Sequence, residues 1–160
     1  MPVFLHTRIR VSDLERTIAW YGALGFVCTR RIPKSPQGNL LAFLQIPGSA
    51  HALELCYQPG YRLTVPEDLM HTAVGYPDLL AKCDELEKLG YTIWPPDWRQ
   101  TFPTGRKMAF VTDPDGYEVE LLEDKIKEVM GRSYMEEPKN GRAENAVIAY
   151  IREYIARRSQ

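Results

Sequence analysis

"HTRIRVSDLERTIAWYGALGF", residues 6–26, and "HTAVGYPDLLAKCDELEKLGY", residues 71–91, lie against each other without a gap at an offset of 65. Six of the 21 positions are identical (His, Thr, Asp, Leu, Leu and Gly), and Phe26 faces Tyr91. Ordinary residue frequencies give about one or two such matches by chance. The echo resumes downstream, where "LAFL" (41–44) is answered by "MAFV" (108–111) and "ALEL" (52–55) by "EVEL" (118–121), at offsets of 67 and 66. A repeat of this length fixes the architecture before any single residue is weighed.

Within the first copy, Leu5, Thr7, Ile9 and Val11 alternate with Phe4, His6, Arg8 and Arg10, the signature of a strand with two unlike faces. "SDLE" follows, with Ser12 as the expected N-cap and Glu15 three residues on. Leu14, Ile18, Tyr21 and Leu24 then recur at helical spacing, and Gly25 stands where a helix ends in the left-handed conformation. Two apolar runs, "NLLAFLQI" and "HALELCY", flank the turn "PGS". The first module reads β-α-β-β, with a further short strand expected in "YRLTV" (61–65). The second repeats the order: a strand in "MHTAVGY", a helix capped by Asp78 and closed by Gly90, and a hairpin turning at Asp113-Pro114-Asp115-Gly116. Residues 92–106, rich in Pro and Trp, read as a strand end and a loop. The expected organisation is one α+β domain over residues 1–125, made of modules at about 1–66 and 67–125. A helical extension over 126–160 carries the stripe Val147, Ile148, Ile151, Tyr154 and Ile155.

A formal net charge of −1 gives no general basic field for nucleic acid, and no apolar run reaches membrane-helix length. The first residues hold no apolar stretch of signal-peptide length, and the three cysteines, Cys28, Cys56 and Cys83, form no CxxC pair. The expectation is free thiols in a reducing compartment, by default the cytoplasm.

Only three histidines occur, and two of them, His6 and His71, fall on matched positions of the repeat. Glu54 and Glu120 are matched as well, each the middle residue of an apolar-x-apolar triplet late in a hairpin. Strand parity places all four on the faces opposite the apolar rows. Two imidazoles and two carboxylates suit a borderline divalent ion: Ni²⁺, Co²⁺, Zn²⁺, Mn²⁺ or Fe²⁺. A closed tetrahedral set would be structural. An octahedral set leaves room for two adjacent substrate oxygens, where an ion acidifies the intervening C–H and favours an enediolate.

The stretches "LHTRIRVSDLERTIAWYGALGF", "ELCY", "HTAV" and "AFVTDPDGYEVELLE" together resemble glyoxalase I (lactoylglutathione lyase), of the vicinal oxygen chelate superfamily, over roughly residues 3–124. The resemblance implies paired βαβββ modules that form a curled mixed sheet around a metal cleft, the glyoxalase/bleomycin resistance/dioxygenase fold. It implies a homodimer with intersubunit sites, each holding one divalent ion on His6, Glu54, His71 and Glu120. The implied reaction isomerises the hemithioacetal of methylglyoxal and glutathione to S-lactoylglutathione, with glutathione as co-substrate, Glu120 as main base and Glu54 as a possible second. Arg10 matches an arginine that binds a glutathione carboxylate. Gln58 stands where the family has a glutathione-contacting Asn, and Arg106 or Lys107 would supply charge before the last hairpin. The 17-residue spacing from Glu54 to His71 is similar to that of short bacterial forms that prefer Ni²⁺ or Co²⁺ over Zn²⁺. The alternatives are another chelate enzyme, such as a coenzyme A-thioester epimerase, a dioxygenase or a thiol transferase, and a metal-free small-molecule binding protein.

Overall fold

The computed structural model describes residues 2–99 and 108–123. The order is β1 (His6–Arg10), α1 (Leu14–Ala23), β2 (Val27–Ile32), β3 (Leu40–Gln45), β4 (Ala52–Tyr57), β5 (His71–Tyr76), α2 (Leu79–Lys88), β6 (Met108–Thr112) and β7 (Glu118–Glu123). The strands form two mixed sheets, β1-β4-β3-β2 and β5-β7-β6. In both, the first strand of the module runs parallel to the last and forms a free edge among the described residues.

The first module therefore has the third hairpin strand at Val27–Ile32 and not in 61–65, where no strand forms. That strand pairs with β3 through a register shift between Cys28 and Arg30, and its sequence, VCTRRI, lacks the alternation that marks the others. Among the described residues, its counterpart in the second module is one antiparallel bridge between Trp94 and Phe110.

The helices obey local chemistry. Asp13, not Ser12, caps α1: it is extended (φ −148°, ψ 112°) and its carboxylate accepts from the Arg16 N–H. Ser12 is drawn instead to Asp115 of the other module, its N–H donating at 3.0 Å, and Glu15 pairs with Arg31 on β2. Asp78 caps α2 in the expected way, accepting from the Ala81 N–H at 2.9 Å. Gly25 and Gly90 take positive φ just past the helix ends.

One core joins both modules. Ile9, Leu14, Tyr21, Leu24, Leu44, Leu53 and Leu55 meet Val74, Leu79, Leu86, Val111, Val119 and Leu121. Polar hooks lock them at α1: Tyr76 Oη donates to the Leu24 carbonyl at 2.7 Å and Tyr91 Oη to the Trp20 carbonyl at 3.1 Å. At the hairpin before β7, Asp113 Oδ1 accepts from the Asp115 and Tyr117 N–H groups while Oδ2 accepts from Tyr21 Oη at 3.4 Å. Burial pushes the Asp113 carboxyl above the ordinary carboxylate value, against the downward pull of those N–H donors.

Candidate metal centre

The parity read from sequence places His6, Arg8 and Arg10 on one face of β1 and Ile9 in the core. Because β1 and β4 run parallel with Arg8 opposite Glu54, the His6 side chain falls two residues along from Glu54 and reaches it diagonally. His6 Nε2 lies 2.9 Å from Glu54 Oε2. The second module reproduces this register: Ala73 stands opposite Glu120, and His71 Nε2 lies 3.5 Å from Glu120 Oε2. Edge-on aromatic rings support both imidazoles, Phe43 under His6 and Phe110 under His71.

Two donors at about 2.1 Å from one ion stand about 3.0 Å apart at right angles and about 3.4 Å at the tetrahedral angle. Each His–Glu pair is thus spaced as neighbouring ligands, and the donor set is the borderline nitrogen-and-oxygen kind that divalent transition ions take. The pairs remain separate, one on each sheet, and no group of three or more candidate ligands gathers among the described residues. The described residues thus carry two separate His–Glu pairs at equivalent places in the repeat.

The halves are not electrostatically alike. Glu54 lies on β4, covered on both sides by β1 and β3, and is only 1% exposed. The Arg8 guanidinium grips its Oε1, with Nε at 2.8 Å and a terminal nitrogen at 2.7 Å. Glu120 is more open, and across from it stands Ala73, which carries no charge. The cross-strand rows make the contrast plain: Arg8, Glu54, Phe43 and Arg30 in the first sheet, Ala73, Glu120, Phe110 and Trp94 in the second. Arg30 rides over the Phe43 ring at 5.6 Å, and Trp94 stacks on Phe110 at 4.5 Å. Sequence reasoning missed Arg8 and the two phenylalanines. "LAFL" answering "MAFV" held the signal for the rings.

Farther along the ligand face of β1, Arg10 reaches Gln58 Oε1 at 3.5 Å and the buried Asn39 Oδ1 at 3.4 Å, with its guanidinium over the Tyr61 ring. The structure thus brings together two of the residues expected to hold substrate, Arg10 and Gln58. Arg106, Lys107 and the extension over 126–160 lie outside the described residues. The third histidine, His51, lines a cavity of about 270 Å³ with residues of both modules, among them Thr7, Leu53, Thr72 and Ala73. Its Nε2 lies 3.2 Å from Thr7 Oγ1, while its Nδ1 and the Thr72 hydroxyl are buried without a hydrogen-bond partner among the described residues.

Two βαβββ-type modules, each with a His–Glu pair at one register, define a duplicated α+β architecture. The sequence profile of the glyoxalase/bleomycin resistance protein/dioxygenase superfamily matches residues 3–121, and the chain belongs to that superfamily. The lactoylglutathione lyase of Haemophilus influenzae is 34% identical over 128 residues, spanning 76% of this chain and 92% of its own length. That of Pseudomonas aeruginosa is 29% identical, spanning 81% and 87%. Among solved structures, the trypanothione-dependent glyoxalase I of Leishmania major superposes with a TM-score of 0.66 at 32% identity, covering 84% of this chain and 96% of that one. A bleomycin-binding protein shares the fold at 21% identity and a TM-score of 0.57. The fold alone therefore does not decide between catalysis and sequestration.

Proposed function

We propose that the chain is a metal-dependent isomerase of the glyoxalase I type, converting a 2-oxoaldehyde–glutathione hemithioacetal to the 2-hydroxyacyl thioester. The observation that carries this reading is the pair of His–Glu sets at equivalent register, spaced as adjacent ligands. His6, Glu54, His71 and Glu120 would hold the ion, which when bound supplies Lewis acidity to two adjacent substrate oxygens. Glu120, the carboxylate without a cation opposite it, takes the proton from the carbon bearing sulfur and oxygen and returns it to the neighbouring carbon. No atom is gained or lost. Arg10 and Gln58 hold the anionic far end of the thiol portion, and Arg106 or Lys107 adds charge there. Relatives named as lactoylglutathione lyases support glutathione as the thiol.

The working unit in this reading is a homodimer. β1 and β5 are free edges among the described residues, each carries the histidine of its half-site, and each is preceded by exposed apolar residues: Val3, Phe4 and Leu5 before β1, Leu69 before β5. A second copy that sets its β5 beside β1 joins one half from each chain. Residues 1–125 form the catalytic domain in this proposal. The three free thiols support a reducing compartment, taken as the cytoplasm, and no described helix is long and apolar enough to cross a membrane.

The test is thioester formation at 240 nm from methylglyoxal and glutathione, with Ni²⁺ and Zn²⁺ supplied separately to stripped protein, alongside the mass in solution. Metal-stimulated turnover by a dimer is expected. No turnover with either ion, or full metal binding by a monomer, overturns the reading.

A further inference from the structure

We propose that Arg8 is a positioning residue that makes the two halves of the metal centre unequal: it holds Glu54 to one oxygen and lowers the charge offered to the ion by one unit. This rests on the metal site proposed above. The observation is the row comparison. At the position across from the carboxylate, the first module has Arg8 and the second has Ala73. Arg8 spends two nitrogens on Glu54 Oε1, at 2.7 and 2.8 Å, leaving only Oε2 directed at His6. Glu54 is almost wholly buried while the Arg8 side chain is half exposed, so the guanidinium is a near counterion that solvent screens from one side only.

Three consequences follow from charge and geometry. With neutral imidazoles, two free carboxylates would present −2 to a divalent ion; with Arg8 on Glu54 the set presents −1. The ion is bound more weakly, and the loaded centre keeps a net positive charge with which to attract the negative charge that builds on a substrate losing a proton. The fork also fixes the Glu54 carboxylate plane and occupies one of its oxygens, which suits a one-oxygen ligand and hinders proton transfer. Glu120, with a methyl group across from it, has no such restraint among the described residues. Arg8 thereby divides labour between two residues that the repeat would otherwise make equivalent.

The experiment measures the Ni²⁺ dissociation constant of stripped full-length protein by competition with a chromophoric chelator, together with the Ni²⁺-induced rise in melting temperature. Arg8→Met removes the charge at similar length, Arg8→Lys keeps it without the fork, and Ala73→Arg installs the mirror-image pair at an exposed site. Arg8→Met should tighten binding at least about tenfold, as expected for one unit charge at this range, and enlarge the metal-induced thermal shift. Arg8→Lys should bind as wild type does, and Ala73→Arg should weaken binding by a similar factor. Binding that is unchanged or weaker in Arg8→Met, or unchanged in Ala73→Arg, overturns the inference. Should Arg8→Met fail to fold, Ala73→Arg alone decides. A wild-type protein that takes up no ion overturns the metal site itself, a result distinct from either.

Discussion

Replacing Glu120 with Gln separates the two jobs that carboxylate would do. Glu120 Oε2 stands 3.5 Å from His71 Nε2, and the residue has Ala73 on one side and Phe110 on the other. Gln fills the same space and keeps one carbonyl oxygen as a donor, so packing is undisturbed and ligation is only weakened. An amide takes no proton near neutral pH, so a base role is lost outright. General-base catalysis contributes about 10²–10⁴-fold, which at about 1.4 kcal/mol per tenfold is roughly 3–5 kcal/mol of barrier. Glu54→Gln differs: Arg8 loses its partner, a ligand charge disappears, and activity should fall in step with the metal lost. The assay is turnover at 240 nm divided by bound metal, measured for wild type and both variants. Glu120→Gln should fall by about 10²–10⁴-fold on this scale, while Glu54→Gln stays much nearer wild type. Equal turnover per ion in wild type and Glu120→Gln would refute the base assignment, and a common loss in both variants would make the carboxylates ligands alone.

Leu86, fully buried where α2 meets the second sheet, should cost about 2–5 kcal/mol on truncation to Ala, read from urea unfolding; a loss under about 1 kcal/mol would mean the helix is not packed as described. Asp113→Asn keeps the Oδ1 acceptor for both turn N–H groups and puts an amide opposite Tyr21. Because the folded carboxyl is raised above its usual 3.8, its stabilising contribution is full at lower pH and is lost as pH climbs through the folded value. The stability of the variant minus that of wild type should therefore increase from acid toward neutral pH, and a flat or falling difference would contradict the assigned burial. Among the thiols, half-buried Cys28 should react with an aromatic disulfide reagent in the native protein. Cys56 and Cys83 are sealed in the core, with burial pushing the Cys83 thiol up to about 12. Rapid release of more than one equivalent would contradict that difference.

The repeat made most of the fold legible, because the features it duplicates are local: alternation in β1 and β5, apolar spacing in both helices, a glycine after each, and an Asx turn in the last hairpin. Long-range competition hid the rest. Ser12 was a good cap by spacing, yet Asp115 from the other module engages it and Asp13 takes the role. The strand at Val27–Ile32 has little apolar face to announce it, since it sits at a sheet edge and carries a register shift. In the two sheets, parity put each histidine on the same strand face as the glutamate it meets, His6 with Glu54 and His71 with Glu120. It could not show that Glu54 is buried, because its strand neighbour is the long Arg8 where Glu120 has only Ala73, nor that Arg8 would choose Glu54 over solvent. Matching positions showed the symmetry of the two halves, and only the side chains in place showed where it breaks.

The tyrosine hooks on α1 set a span. Tyr76 and Tyr91 from the second module hold the carbonyls of Leu24 and Trp20 in the first, and Asp115 holds Ser12 at the other end of the helix. With both ends of α1 fastened to the neighbouring module, the chain behaves as a ruler with a His–Glu mark on each half. In the proposed dimer, two such rulers laid head to tail would register both pairs of marks at once or neither. An error in the length of one would then misalign both proposed sites together, so loosening a tyrosine hydroxyl bonded only to an α1 carbonyl would reach them through arithmetic of distance alone.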